Sequence, residues 1–129
     1  MSDTGPILES LTAVSVHITD VAKARKFYGE ILGLKEVAFN AERQRLVYEI
    51  PKSSTVLTMH VASDPREGGR EPGTVSGIIF NHPDPAAALA EIQRRGGTVV
   101  APAMKMPWGL VRGVFADLDG NEFVLSSPA

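Results

Sequence analysis

The chain repeats itself, and that repetition restricts its fold more than any other feature. Asp20 opens the run DVAKARKFYGEILGL and Asp84 opens DPAAALAEIQRRGGT; in each, a glycine follows thirteen residues later, Gly33 and Gly97. Upstream, VSVHITD in the first half corresponds to IIFNHPD in the second. Self-similarity at a fixed offset marks a duplicated supersecondary unit. The halves meet at ASDPREGGREPGT, a stretch of Gly, Pro and charge that reads as a linker. The expected organisation is one domain over 1–129, with a first unit over 11–61, a linker over 62–74 and a second unit over 75–127.

Each unit reads the same way. Leu11 to Ile18 places Val14, Val16 and Ile18 on one face and Ala13, Ser15 and His17 on the other, as a half-buried strand does. Thr19 or Asp20 then caps a helix whose apolar positions Val21, Ala24, Phe27, Tyr28, Ile31 and Leu32 recur at helical spacing. Gly33 stops it, because glycine enters the left-handed conformation without steric cost. In the second unit Asp84 is the cap, Pro85 sits at the first helical position, and Ala88, Leu89 and Ile92 form the buried stripe before Gly96-Gly97. Three strands should follow each helix: 35–40, 45–50 and 55–61, then 99–101, 109–117 and 122–127. Asp119-Gly120-Asn121 is a hairpin turn between the last two. The order βαβββ, twice, predicts an α+β fold. The helices cover one face of a curved mixed sheet, and the other face wraps a cavity.

Composition removes several function classes. With 43% hydrophobic and 22% charged residues the chain is of ordinary globular make-up. Thirteen basic against 15 acidic residues, a net charge of −2, argue against a nucleic-acid binder. The cluster Lys23, Arg25 and Lys26 reads as a solvated helix face. The absence of cysteine excludes disulfides, thiolate metal sites and thiol nucleophiles. MSDTGPILES has neither the basic start nor the apolar core of a secretory signal, and no apolar run reaches the ~18 residues that span a bilayer. A cytoplasmic location without membrane contact is the expectation. No Ser-His-Asp spacing, G-x-G-x-x-G or P-loop is present, and the glycine pairs at 68–69 and 96–97 belong to the linker and a helix stop.

The run Asp20, Phe27, Tyr28, Leu32, Gly33, Leu34 resembles the D…FYxxxLGL signature of the vicinal oxygen chelate superfamily. Phe115, Asp117, Asp119, Gly120 and Asn121 resemble its F-x-D-x-D-G-N ending, and the similarity runs from about Leu11 to Ser127. The superfamily includes glyoxalase I, extradiol dioxygenases, fosfomycin-resistance enzymes and bleomycin-resistance binding proteins. The resemblance implies a cavity on the curved sheet and, in most enzymatic members, a divalent metal polarising two neighbouring substrate oxygens. It also implies a homodimer, since relatives commonly complete the cavity between two chains.

In metal-binding relatives the first-strand ligand lies seven residues before the capping Asp, which maps onto Ala13 and, in the second unit, Gly77. The last-strand ligand maps onto Val124 and the remaining one near Thr58. Ala, Gly and Val carry no donor, so no metal or other cofactor is expected at the inherited positions. A relocated divalent-metal site built from His17, His60 and Glu122 is the alternative. Tyr48 and Phe80 read as core, His82 as structural or exposed, and Asp117, Asp119 and Asn121 as hairpin residues.

Met104 to Gly109 gathers two methionines and the only tryptophan, and reads as an apolar, adaptable loop over a flat ligand. The same residues would equally cap the core or fill a dimer contact. The ligand cavity is expected to be lined by Ser15, His17, Thr58, His60, Asn81, Met106, Trp108, Glu122 and Ser126. Two functions follow. One is a metal-independent protein that binds a small apolar or aromatic molecule. The other is a metal-dependent glyoxalase-like lyase or dioxygenase. A third, weaker expectation is an accessory interaction domain without a small ligand.

Overall fold

The computed structural model describes residues 5–61, 73 and 75–128. Most of the expected linker, 62–72 and 74, lies outside the described residues. The first unit comprises β1 (Ala13–Ile18), α1 (Val21–Ala24) continuing into a π-helical segment (Arg25–Ile31), β2 (Lys35–Asn40), β3 (Arg45–Glu49) and β4 (Val56–Val61). The second comprises β5 (Val75–Asn81), α2 (Pro85–Arg94), β6 (Thr98–Lys105), β7 (Val111–Ala116) and β8 (Glu122–Ser126). Each unit folds into its own four-stranded sheet, ordered β1-β4-β3-β2 and β5-β8-β7-β6. In both, the first strand runs parallel to the last and the other pairings are antiparallel. A parallel pair needs a crossover connection, and the helix supplies it. Among the described residues no helix is long and apolar enough to cross a membrane.

Local chemistry accounts for the element ends. The Asp20 carboxylate accepts the Lys23 N–H at 2.9 Å, and the Asp84 carboxylate accepts that of Ala87 at 3.2 Å. Gly33 adopts φ +72°, which lets the chain leave the helix. The sequence suggests a regular α-helix over the first crossover, but only its first turn is α. Beyond Ala24 the turns widen, and the Leu32 N–H reaches back five residues to the Phe27 carbonyl at 2.8 Å. The wider turn lets Phe27, Tyr28 and Ile31 all point inward, and each is buried. A second departure is in β6. The sequence suggests an end at Ala101, before Pro102, yet the strand runs to Lys105. Register shifts on both sides of Ala101 form bulges there, and a bulge accommodates a proline that cannot donate to the ladder. Met104 and Lys105 are therefore strand residues, not loop residues.

One core serves both units. Val16, Ile18, Leu46, Tyr48, Leu57 and Met59 face inward from the first sheet, and Phe115, Phe123 and Leu125 from the second. Between them lies the π segment. Phe27 stacks on Phe115 at 6.2 Å, and Tyr28 meets Phe123 edge-on at the same distance. The Asp117-Asn121 turn, anticipated as hairpin chemistry, extends further than that. The buried Asp117 carboxylate accepts the Tyr28 hydroxyl at 2.5 Å and the Asp119 N–H, Asn121 N–H and Asn121 Nδ2 at 2.9 Å each. Asn121 Nδ2 also donates to the His17 carbonyl at 2.8 Å, and Asp119 accepts from the Thr19 N–H and hydroxyl. Of the basic helix cluster, Lys23 pairs with Asp119 and Arg25 with Glu36.

Burial first, and the neighbouring Asp117 charge second, push the Tyr28 hydroxyl far above its usual range. Burial and Glu36 push Tyr48 up to about 12. Both groups hold their protons more tightly folded than unfolded. The stability they contribute is complete below pH ~10 and is lost as pH rises through ~12. These are the only two tyrosines. Phenolate absorbance near 295 nm should therefore show no ionisation at pH 10 and a single step coinciding with unfolding near pH 12. A tyrosine titrating reversibly near pH 10 in the folded protein would contradict this packing.

Candidate functional site

The faces of the two sheets opposite the core are where a ligand could meet the sheet, and the ladders assign their residues row by row. On the first sheet Ser15 pairs with Thr58, and His17 with His60. Ser15 Oγ and Thr58 Oγ1 are 2.6 Å apart, Thr58 Oγ1 lies 3.5 Å from His60 Nε2, and the two histidine rings are 6.0 Å apart. Thr58, His60 and His17 are only 1%, 3% and 7% exposed. Four of the expected lining residues thus converge in one polar cluster, of which Thr58, His60 and His17 are buried and Ser15 is exposed.

The second sheet presents different chemistry on the equivalent face. Ile79, Val124, Val114 and Ala101 form one row across the strands, and Asn81, Ser126, Arg112 and Met104 the next. A cleft of ≈ 280 Å³ opens here, bounded by Ala101, Met104, Met106, Trp108, Val114 and Val124, with Arg112 at its side. The β6–β7 turn carries Trp108 into position. Met106 N–H donates to Leu110 O at 2.7 Å, Gly109 N–H donates back to Met106 O at 2.9 Å, and Gly109 takes φ +102°. Trp108 and Met104 remain 62% and 60% exposed. Met106 and Trp108 therefore stand where the sequence suggests, on the wall of an apolar cleft. Ser126 lies beneath it, 2% exposed, holding Arg112 Nε at 3.2 Å. Glu122 is at the far end of β8, opposite Val75.

A second cavity, ≈ 380 Å³, lies on the core side between α2 and the end of the π segment. Leu32, Leu34, Ile50, Phe80, Ala88 and Ile92 line it, and Asn81 and His82 reach its edge. His82 Nδ1 accepts the Asp84 N–H at 2.9 Å, a structural role. At its rim Glu91, hydrogen-bonded by Arg94 and Arg95, is held down to about 2. Tyr48 and Phe80 take the core positions expected of them.

The family's metal does not fit the residues at its usual place. Ala13, Gly77 and Val124 carry no donor atom, and the Thr58 hydroxyl is engaged with Ser15. Gly77 is further constrained. It has φ +76° at a break in the β5–β8 register, so any ligating side chain there would sit on a strained backbone. Among the described residues no three His, Asp or Glu side chains group so as to hold a metal ion, so Glu122 does not join His17 and His60 in such a set.

Arg112 escaped the sequence reading, although a signal was present. In V-R-G-V-F the arginine has the parity of Val114, so it had to face the cleft and not the core.

The fold has known counterparts. The family model Glyoxalase/Bleomycin resistance protein/Dioxygenase superfamily matches residues 10–125. No curated protein sequence matches the chain. Among solved structures, a member of the same superfamily from Sphaerobacter thermophilus DSM 20745 is 28% identical at a TM-score of 0.84, covering 95% of this chain and 100% of its own. TnmS3, an antibiotic binding protein from Streptomyces sp. CB03234, is 26% identical at a TM-score of 0.81, covering 97% and 100%. A glyoxalase/bleomycin resistance protein from the same Streptomyces strain is 28% identical at 0.73, covering 90% and 98%. The chain belongs to the glyoxalase/bleomycin resistance protein/dioxygenase superfamily.

Proposed function

We propose that this superfamily member binds a small apolar or aromatic molecule without a metal ion, on the outer face of its second sheet. One observation carries the reading: the cleft of ≈ 280 Å³ is walled by Met104, Met106, Trp108, Val114 and Val124, and Val124 stands where relatives place a metal ligand. An apolar residue at that position extends the hydrophobic floor, the methionines adapt their shape to a flat ligand, and the tryptophan ring stacks on it. The likeness to an antibiotic binding protein over the whole chain supports the same class of function. As the family resemblance implies, the reading includes a homodimer in which a second copy closes the cleft.

The competing reading is a metal-dependent lyase or dioxygenase in which His17 and His60 supply ligands without Glu122. Its support is the approach of the two histidine rings to 6.0 Å.

Trp108 is the only tryptophan, so its fluorescence reports the cleft directly. Titration with small fused-ring aromatics should quench it saturably, and Trp108→Ala should weaken calorimetrically measured binding roughly tenfold or more. Binding unaffected by that substitution would move the ligand elsewhere. For the metal, protein purified without chelator and titrated with Ni, Zn, Mn and Fe(II) should hold none in stoichiometric amount. Stoichiometric metal lost in His60→Ala would establish the enzymatic reading instead. Light scattering should give twice the monomer mass; a monomer that still binds aromatics would remove the partner chain from the site.

A further inference from the structure

Arg112 is the one charged residue on the cleft wall, and its surroundings are unusual for a cation. Its Nε–H is taken by Ser126 Oγ at 3.2 Å, and its Cζ lies 5.6 Å from the centroid of the Trp108 ring. Ser126 is itself fixed, donating to the Ser127 carbonyl at 2.9 Å. Those contacts orient the guanidinium and hold it against the indole. They leave its two Nη groups, the end of the fork, without an acceptor among the described residues. Among the described residues no Asp or Glu pairs with Arg112; the ion pairs there are those of Lys23, Arg25, Arg94 and Arg95. The neighbours across the ladder are Met104 on one side and Ser126 on the other, and neither is anionic.

A cation held in place on an apolar wall with no counterion selects for negative charge in whatever enters. The free end of a guanidinium presents two parallel N–H donors, which match the two oxygens of a planar carboxylate. Ring and anion would then be recognised side by side, the ring by the open Trp108 face with Met104 and Met106, the anion by Arg112.

We propose that the second-sheet cleft is selective for planar aromatic carboxylates, with Arg112 as the specificity-determining residue. The proposal rests on the cleft being the ligand site. It adds the charge of the ligand and the group that reads it.

The test uses the full chain and three probes of one shape, 2-naphthoate, 2-naphthamide and 2-naphthylmethylammonium, titrated calorimetrically with Trp108 fluorescence followed in parallel. Naphthoate should bind about tenfold tighter than the amide, and the cation most weakly, since a hydrogen bond to a charged partner is worth about that ratio. Added salt should erode the preference for naphthoate and leave the amide unaffected. Arg112→Gln should bring naphthoate down to the amide's affinity without changing the amide's, while Arg112→Lys should retain part of the preference. Unchanged thermal unfolding of both variants would show that the fold is intact. Equal binding of all three probes, with Trp108 quenched by each, would overturn the charge selectivity and leave the cleft as the ligand site. Failure of every probe to perturb Trp108 would overturn both.

Discussion

The buried carboxylate of Asp117 is the contact on which the two units depend for their mutual placement. A carboxylate out of water is costly unless its lone pairs are filled, and this one accepts four hydrogen bonds. Three come from its own turn and shape the β7–β8 hairpin. The fourth comes from Tyr28, on the π segment of the other unit. Asn121 adds a bond to the His17 carbonyl at the end of β1, and its side-chain oxygen accepts the N–H of Gly73. Removing Tyr28 would leave a buried charge short of a donor, and removing Asp117 would strand several donors at once. The network therefore fixes where the first unit's helix and strand sit relative to the second sheet. The π-helical turns serve the same end, since they bring Phe27 against Phe115 and the Tyr28 hydroxyl to the carboxylate together.

Much of this was legible in the sequence because it rests on local rules. Strand parity separated Val14, Val16 and Ile18 from Ser15 and His17, and Asp20, Asp84, Gly33 and Gly96 marked the helix ends. The turn residues Asp117, Asp119 and Asn121 were recognisable as such, but their role between units was not, because it depends on which helix packs over the turn. Register effects were hidden for the same reason. The strand expected over 99–101 runs on to Lys105, and the bulges around Ala101 let β6 carry Met104 into the cleft. The burial of His17, Thr58 and His60 was also not foreseeable, since alternation places them on one side without saying how far that side is covered.

The missing metal donors and the apolar wall belong to the same residues. Val124 offers no donor and extends a hydrophobic row through Ile79 and Val114. At Gly77 the backbone departs from regular strand geometry, so a ligating side chain there would need a conformational change as well.

The duplication sharpens the contrast between the two faces. Ser15–Thr58 occupies the place in the first ladder that Ile79–Val124 occupies in the second, and His17–His60 the place of Asn81–Ser126. The third strands correspond too: Arg45 lies opposite His60 as Arg112 lies opposite Ser126. An arginine thus stands at the same node of both sheets, but its neighbours differ. In the first unit the row runs through two buried imidazoles beside a part-buried hydroxyl pair, surroundings rich in polar partners. In the second the arginine is bordered by methionine, valine and tryptophan, with one serine to orient it. Corresponding ladder positions therefore carry a polar cluster in one half and an apolar, singly charged cleft in the other. The side chains around the node, together with the bulges at Ala101 and the break at Gly77, and not the shared fold, set that difference.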